Sequence, residues 1–266
     1  MSSDSPNFGL PWIDRSIANG RSTFTTAEAH AAHGGSEKAA QAVLRRLRAK
    51  GEIASPVRGF HVIVPPEYRR LGCLPPLWFV DDLAAFLGQP YYVALLSAAE
   101  LHGAAHQRPQ AFQVMLPWPQ RPAGCGGVRI DFAMRRNLAE VPIVVRNTPK
   151  GTVRVATPEL TAFDLVGYPE RAAGLDNAAT VLAELAESLD PDALVALAPR
   201  APLPWAQRLG FLLDHVGAAA VVEPLARWVS ERSAAWCPLA PGHAGDGAPR
   251  DPRWRVTVNH VVEVDA

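Results

Sequence analysis

Two helix-start signals, Thr25 and Ser36, stand on either side of the pair Gly34-Gly35 in the stretch "FTTAEAHAAHGGSEKAAQAVLRRLRAKGEI". Thr25 followed by Glu28 is a capping box, in which each residue satisfies an amide that the first helical turn would otherwise leave bare. Glycine is the usual residue past a helix end, because it enters the left-handed region without steric cost. The chain here is therefore confined to two short helices meeting at a tight turn. In the second helix Ala40, Val43, Leu44 and Leu47 recur at helical spacing as a buried stripe, while Lys38, Gln41, Arg45 and Arg48 share the opposite side. Gly51 closes that helix, and "EIASPVRGFHVIV" reads as a hairpin turning over residues 56–59 with Arg58 at its tip.

Helix, tight turn, basic helix and hairpin is the order of a winged helix-turn-helix, whose second helix enters the major groove of DNA. On that reading Lys38, Gln41 and Arg45 face base edges and Arg48 shares their face. Arg46 and Lys50 flank it toward phosphates, and Arg58 belongs to a separate wing. Double-stranded DNA is the expected partner.

Charge supports a polar division of the chain. Its 26 Lys and Arg cancel its 26 Asp and Glu, yet the excess is basic up to Gly72, basic again from Cys73 to Ala156, and acidic from Thr157 onward. Such asymmetry bears on association and not on fold. Cys73, Cys125 and Cys237 are far apart and odd in number, which predicts neither a disulfide framework nor a metal site, and suggests a reducing compartment. No window approaches the roughly 20 apolar residues of a membrane span, so a cytoplasmic, unanchored protein is expected.

Beyond a Pro-rich stretch around residues 65–76 come helix-compatible segments, "WFVDDLAAFLG" and "YYVALLSAAELHGAAH". Four β-like runs follow, "AFQVML", "GVRIDFAM", "PIVVRNT" and "GTVRVAT". From "TPELTAFDLVGY" to "AAVVEPLARWVSERS" the pattern is helical, with Thr157-Pro158 and Asp190-Pro191 as starts. The fold class expected is α+β: a DNA-binding domain over 1–72, a second domain over 73–236 that is mixed over 73–156 and a helical bundle over 157–236, and a Pro/Gly linker with a terminal strand over 237–266.

Chemistry-bearing motifs are sparse. His102 and His106 have the spacing of helix-borne metal ligands, but Gly103 stands where the zinc peptidase motif needs Glu. Asp131 with Glu159 or Asp164 is the material for a metal-dependent nuclease, without the spacing that would support one. Arg129, Arg135, Arg136, Arg146, Lys150 and Arg154 form a basic stripe that either extends a DNA footprint or is the outward half of an antiparallel sheet. The aromatic "WFVDDLAAFLGQPYYV" reads equally as the lining of a small-molecule pocket or as core. No catalytic residue, cofactor or metal is assigned.

The segments "RGFHVIVPPEYR", "YYVALLSAAELHGAAHQRPQ" and "TPELTAFDLV", set in residues 8–235, resemble the AbiEi antitoxins of bacterial type IV toxin-antitoxin systems. The resemblance implies an N-terminal winged helix-turn-helix that binds repeats in its own promoter and represses the operon. It implies as partner, bound directly or opposed functionally, an AbiEii toxin resembling a nucleotidyltransferase, in a phage-defence setting. It implies no active-site residues.

Overall fold

The computed structural model describes residues 9–104, 109–232 and 235–264. The chain starts with α1 (Leu10–Ala18), β1 (Thr23–Thr25), α2 (Thr26–His33), α3 (Glu37–Ala49), β2 (Ile53–Ala54), β3 (Phe60–Ile63) and α4 (Val80–Leu87). The expected caps are present. Thr25 and Glu28 make the reciprocal box at the start of α2, Gly34 ends it in the left-handed region at φ 65°, and the Ser36 hydroxyl accepts from Ala39 N–H at the start of α3. The hairpin forms with Ile53 opposite Ile63 and Ala54 opposite Val62. On its other side β3 pairs antiparallel with β1, giving the order β1-β3-β2.

Ile13, Phe24, Ala29, Leu44, Leu47, Ile53 and Ile63 close one small core, with Trp12 packed edge-on to Phe24. Helix α1, absent from the sequence reading, supplies Ile13 and Trp12 to this core. It starts at Gly9 without a side-chain cap, so the local signal that marks α2 and α3 is missing there.

Next come β4 (Tyr92–Val93), α5 (Leu95–Leu101), β5 (Phe112–Leu116), β6 (Ala123–Cys125), β7 (Val128–Met134), β8 (Ile143–Thr148) and β9 (Gly151–Ala156). Strand β5 pairs with β7 in parallel and β7 with β6 in antiparallel fashion, so this part of the sheet is not the simple antiparallel one considered above. Strand β4 pairs in parallel with β9 through Val93 and Val155.

The helices α6 (Pro158–Gly167), α7 (Leu175–Leu185), α8 (Pro191–Leu197), α9 (Leu203–His215) and α10 (Ala219–Arg232) follow, then β10 (Cys237–Pro238), β11 (Arg250–Asp251) and β12 (Val256–Thr257). Thr157 caps α6 by accepting from Leu160 N–H, and Asp190 caps α8 through two amides. Helix α6 is buried from Glu159 to Val166 and packs on α5, α7, α8 and α9. Gly210 on α9 lies so close to the Trp254 ring that an added Cβ would stand 2.0 Å from it, and Trp254 Nε1–H donates to Asp214 at 2.5 Å. In this way one fully buried indole fastens the terminal segment to the bundle.

The chain divides into two compact units. One comprises 1–91, 110–136 and 145–154; the other comprises 92–109, 137–144 and 155–266. The first holds 17 Lys and Arg against 9 Asp and Glu, a net +8, and the second 9 against 17, a net −8. The gradient along the sequence thus becomes a clean separation between units.

The cysteine reading requires a correction. Cys73 and Cys125 are joined as a disulfide with Cα atoms 5.9 Å apart, and only Cys237 is free. The bond links positions 52 residues apart, and local spacing carries no trace of such a pairing.

Candidate nucleic-acid interface

Helix α3 buries Ala40, Leu44 and Leu47, packs the half-buried Val43 against the same core and leaves its opposite side open. Lys38, Gln41, Arg45, Arg46, Arg48 and Lys50 are all exposed, as is Arg58 on the hairpin turn. The Arg21–Glu28 ion pair, at 2.5 Å, involves none of these cations. Arg46 and Arg48 in the last turn favour the helix dipole, whose C-terminal end is negative. Lys38 gains nothing in that way. It sits in the first turn, where the dipole disfavours a cation, so helix stability does not explain it.

The hairpin tip is held from two sides. The Gly59 carbonyl accepts from Thr26 N–H at 2.8 Å, and a Cβ at Gly59, whose φ is 90°, would meet the Phe86 ring at 3.2 Å. Phe60 stacks obliquely on Phe86 and Phe79. Arg58 therefore projects from a turn whose backbone is fixed against both α2 and α4.

One residue that the sequence reading missed lies beneath this surface. His61 on β3 is 2% exposed, with Nε2 2.9 Å from the Thr26 hydroxyl and Nδ1 2.7 Å from the Ser55 hydroxyl. Burial pushes its imidazole down to about 4, and the positive charge of Arg48 pushes in the same direction. A neutral ring suits two hydroxyls, since one nitrogen donates and the other accepts. His61 thus ties the start of α2, the hairpin and a cation of α3 into one electrostatic unit, and only its alternation with Phe60 and Val62 was visible beforehand.

The basic stripe of the sheet is only partly available. Arg129, Arg136 and Arg154 are exposed and Lys150 is half-buried, whereas Arg135 is buried and so cannot serve an outer surface. Arg154 lies over the Tyr91 ring, and the Tyr91 hydroxyl donates to Asp81 at 2.9 Å.

The carboxylates considered for metal chemistry have structural work. Asp164 is fully buried and accepts from the Tyr92 hydroxyl at 3.0 Å; Glu159 accepts from Asp190 N–H at 3.0 Å, beside the cap of α8. Asp131 is half-buried on β7. His102 Nε2 lies 2.7 Å from the Ala156 carbonyl, and His106 lies outside the described residues. Among the described residues no group of three or more His, Cys, Asp or Glu side chains is arranged to hold a metal ion, and no helix is long and apolar enough to cross a membrane. Phe79, Tyr91 and Tyr92 of the aromatic segment are core.

No curated protein matches the chain. Its fold is similar to that in the crystal structure of the RV2827C protein from Mycobacterium tuberculosis, with a TM-score of 0.66 at 18% identity, over 92% of this chain and 88% of that one. Residues 92–215, from β4 to the end of α9, match the family model of the AbiEi antitoxin C-terminal domain.

Proposed function

We propose that this protein is the DNA-binding antitoxin of a type IV toxin-antitoxin system, a cytoplasmic and non-enzymatic repressor of its own operon. Residues 1–72 act as a winged helix-turn-helix. Helix α3 enters the major groove, with Lys38, Gln41 and Arg45 at base edges and Arg48 beside them. Arg46 and Lys50 contact flanking phosphates, and Arg58 contacts the backbone or minor groove from the wing. The antitoxin domain that follows counteracts a nucleotidyltransferase-like toxin of the AbiEii type.

The observation that carries the DNA reading is the state of α3. Its cations are exposed, its first-turn lysine works against the helix dipole, and it sits in a unit of net +8. A merely solvated face would alternate Lys or Arg with Glu at i,i+4, and Glu37 is the sole acid of this helix. The antitoxin reading rests on the match over residues 92–215.

The test is binding of the full chain to its upstream promoter region across a salt series. Arg46→Ala with Lys50→Ala should weaken binding and lower the slope of log K against log salt by roughly 1 to 2, about 0.9 for each phosphate that is no longer neutralised. An unchanged affinity and slope in the double variant would overturn the role of α3. Co-expression with the neighbouring toxin tests the second half: the double variant should lose repression and keep rescue. Substitution is preferable to removing residues 1–72, because the first compact unit also contains 110–136 and 145–154.

A further inference from the structure

The chain leaves its first small core after Val64, whose N–H donates to the Glu52 carbonyl, and reaches Cys73 through a turn at Leu71-Gly72. There it lies against the β6–β7 turn. Gly127 N–H donates to the Leu71 carbonyl at 2.8 Å, and a Cβ on Gly126 would stand 2.2 Å from that same oxygen. Cys73 and Cys125, next to this contact, are disulfide-bonded. The two sulfurs differ in access: Cys73 is fully buried, while Cys125 is half-buried at the end of β6, an edge strand.

We infer that Cys73 and Cys125 form a reversible redox latch that sets the rigidity of α4 and the hairpin tip. A low-molecular-weight thiol is the reductant. Its thiolate attacks Cys125 Sγ, the more accessible sulfur, so the protein S–S bond breaks and Cys73 leaves as a thiolate that takes a proton from solvent. A second thiol attacks the mixed disulfide, releasing the Cys125 thiol and one small-molecule disulfide, so the two electrons gained by the protein come from two thiols. The glycine contact persists without the bond and keeps the thiols together, so a small-molecule disulfide reverses the same steps. Such pairs in a reducing compartment are sensors more often than staples.

The latch reaches the wing through the loop that it closes. Early in that loop come Phe79 and α4, which meet the β1-β3-β2 sheet at three points: Asp82 accepts from the Thr23 hydroxyl at 2.5 Å, and Phe79 and Phe86 pack on Phe60, next to Gly59 of the tip. With the bond open, the chain ahead of α4 is held there by the Leu71–Gly127 contact without the covalent link, and the turn bearing Arg58 loses part of its support.

The experiment is amide hydrogen exchange of the full chain equilibrated with either oxidised glutathione or dithiothreitol, with thiols counted by alkylation after denaturation. Reduction should expose two additional thiols. It should also speed exchange in α4 and at the hairpin tip by about tenfold or more while α6 is unaffected. Cys125→Ser should exchange fast in both buffers, and Cys237→Ala should respond like the unmodified chain; if Cys125→Ser does not fold, the reduced unmodified chain carries the same comparison. An equal thiol count in both buffers, or equal exchange of α4, would overturn the latch. Neither readout involves DNA, so the latch and the DNA reading stand or fall separately.

Discussion

Helices α3 and α6 begin alike and end in opposite places. Ser36 and Thr157 each accept from the amide three residues on, and each cap is followed by an acidic residue in the first turn. Yet α3 buries only Ala40, Leu44 and Leu47, whereas α6 buries every residue from Glu159 to Val166. A cap fixes where a helix starts; the residues behind it decide how many faces it can hide. With three fully buried apolar positions and four arginines and lysines, α3 can cover one side of a small core and must show the rest. Helix α6 is apolar around its circumference, and its two carboxylates are engaged by Asp190 N–H and the Tyr92 hydroxyl. The contrast repeats at the level of the units, one carrying +8 and the other −8. It separates a helix that exposes its cations from one made for packing.

The largest expected test of that division is Trp254→Ala. The indole is fully buried against Gly210, and its loss should cost about 3–5 kcal/mol by urea unfolding. Promoter binding should survive wherever the variant is still folded; its disappearance there would break the separation between packing body and contact surface. Opening the disulfide, which links positions 52 apart in sequence, should cost the first unit roughly 4 kcal/mol on the chain-entropy account, again by urea unfolding with and without reductant.

Acid should find the contact surface through His61. The folded ring binds its proton only near 4, the unfolded one near 6.5. Between these values the unfolded state holds more protons, so stability is complete above about pH 6.5 and falls as pH drops toward 4. The loss is on the order of 3 kcal/mol by pH 4, measurable as a pH series of urea midpoints. Arg48→Ala should shrink it, because one of the two causes of the depressed value is that cation. Smallest is Thr25→Ala, which removes the capping box of α2 and should cost about 1 kcal/mol, detected as a lowered Tm.

Much of the fold was legible because caps, glycine stops and hairpin turns are local. Thr25, Gly34, Ser36, Gly51, Thr157 and Asp190 all act within a few residues of themselves. The cations of α3 were legible for the same reason, since helical spacing alone places them opposite Leu44 and Leu47. What escaped was set at a distance. Helix α1 has no capping side chain and is held by Phe24. Cys73 meets Cys125 on β6, across 52 residues of sequence, and Arg135 shares a stripe with Arg129 yet is buried. His61 looked like an ordinary strand position, because the two hydroxyls and the arginine that define its chemistry arrive from three other elements.

The opposed charges of the two units also govern how the purified protein will behave. A sequence pI near 7.1 suggests an inert neutral solute at pH 7. A chain with +8 in one unit and −8 in the other is instead strongly polar, and at low ionic strength the basic unit of one molecule attracts the acidic unit of the next. It should be retained on both cation- and anion-exchange resins, and it should dissolve better as salt is added.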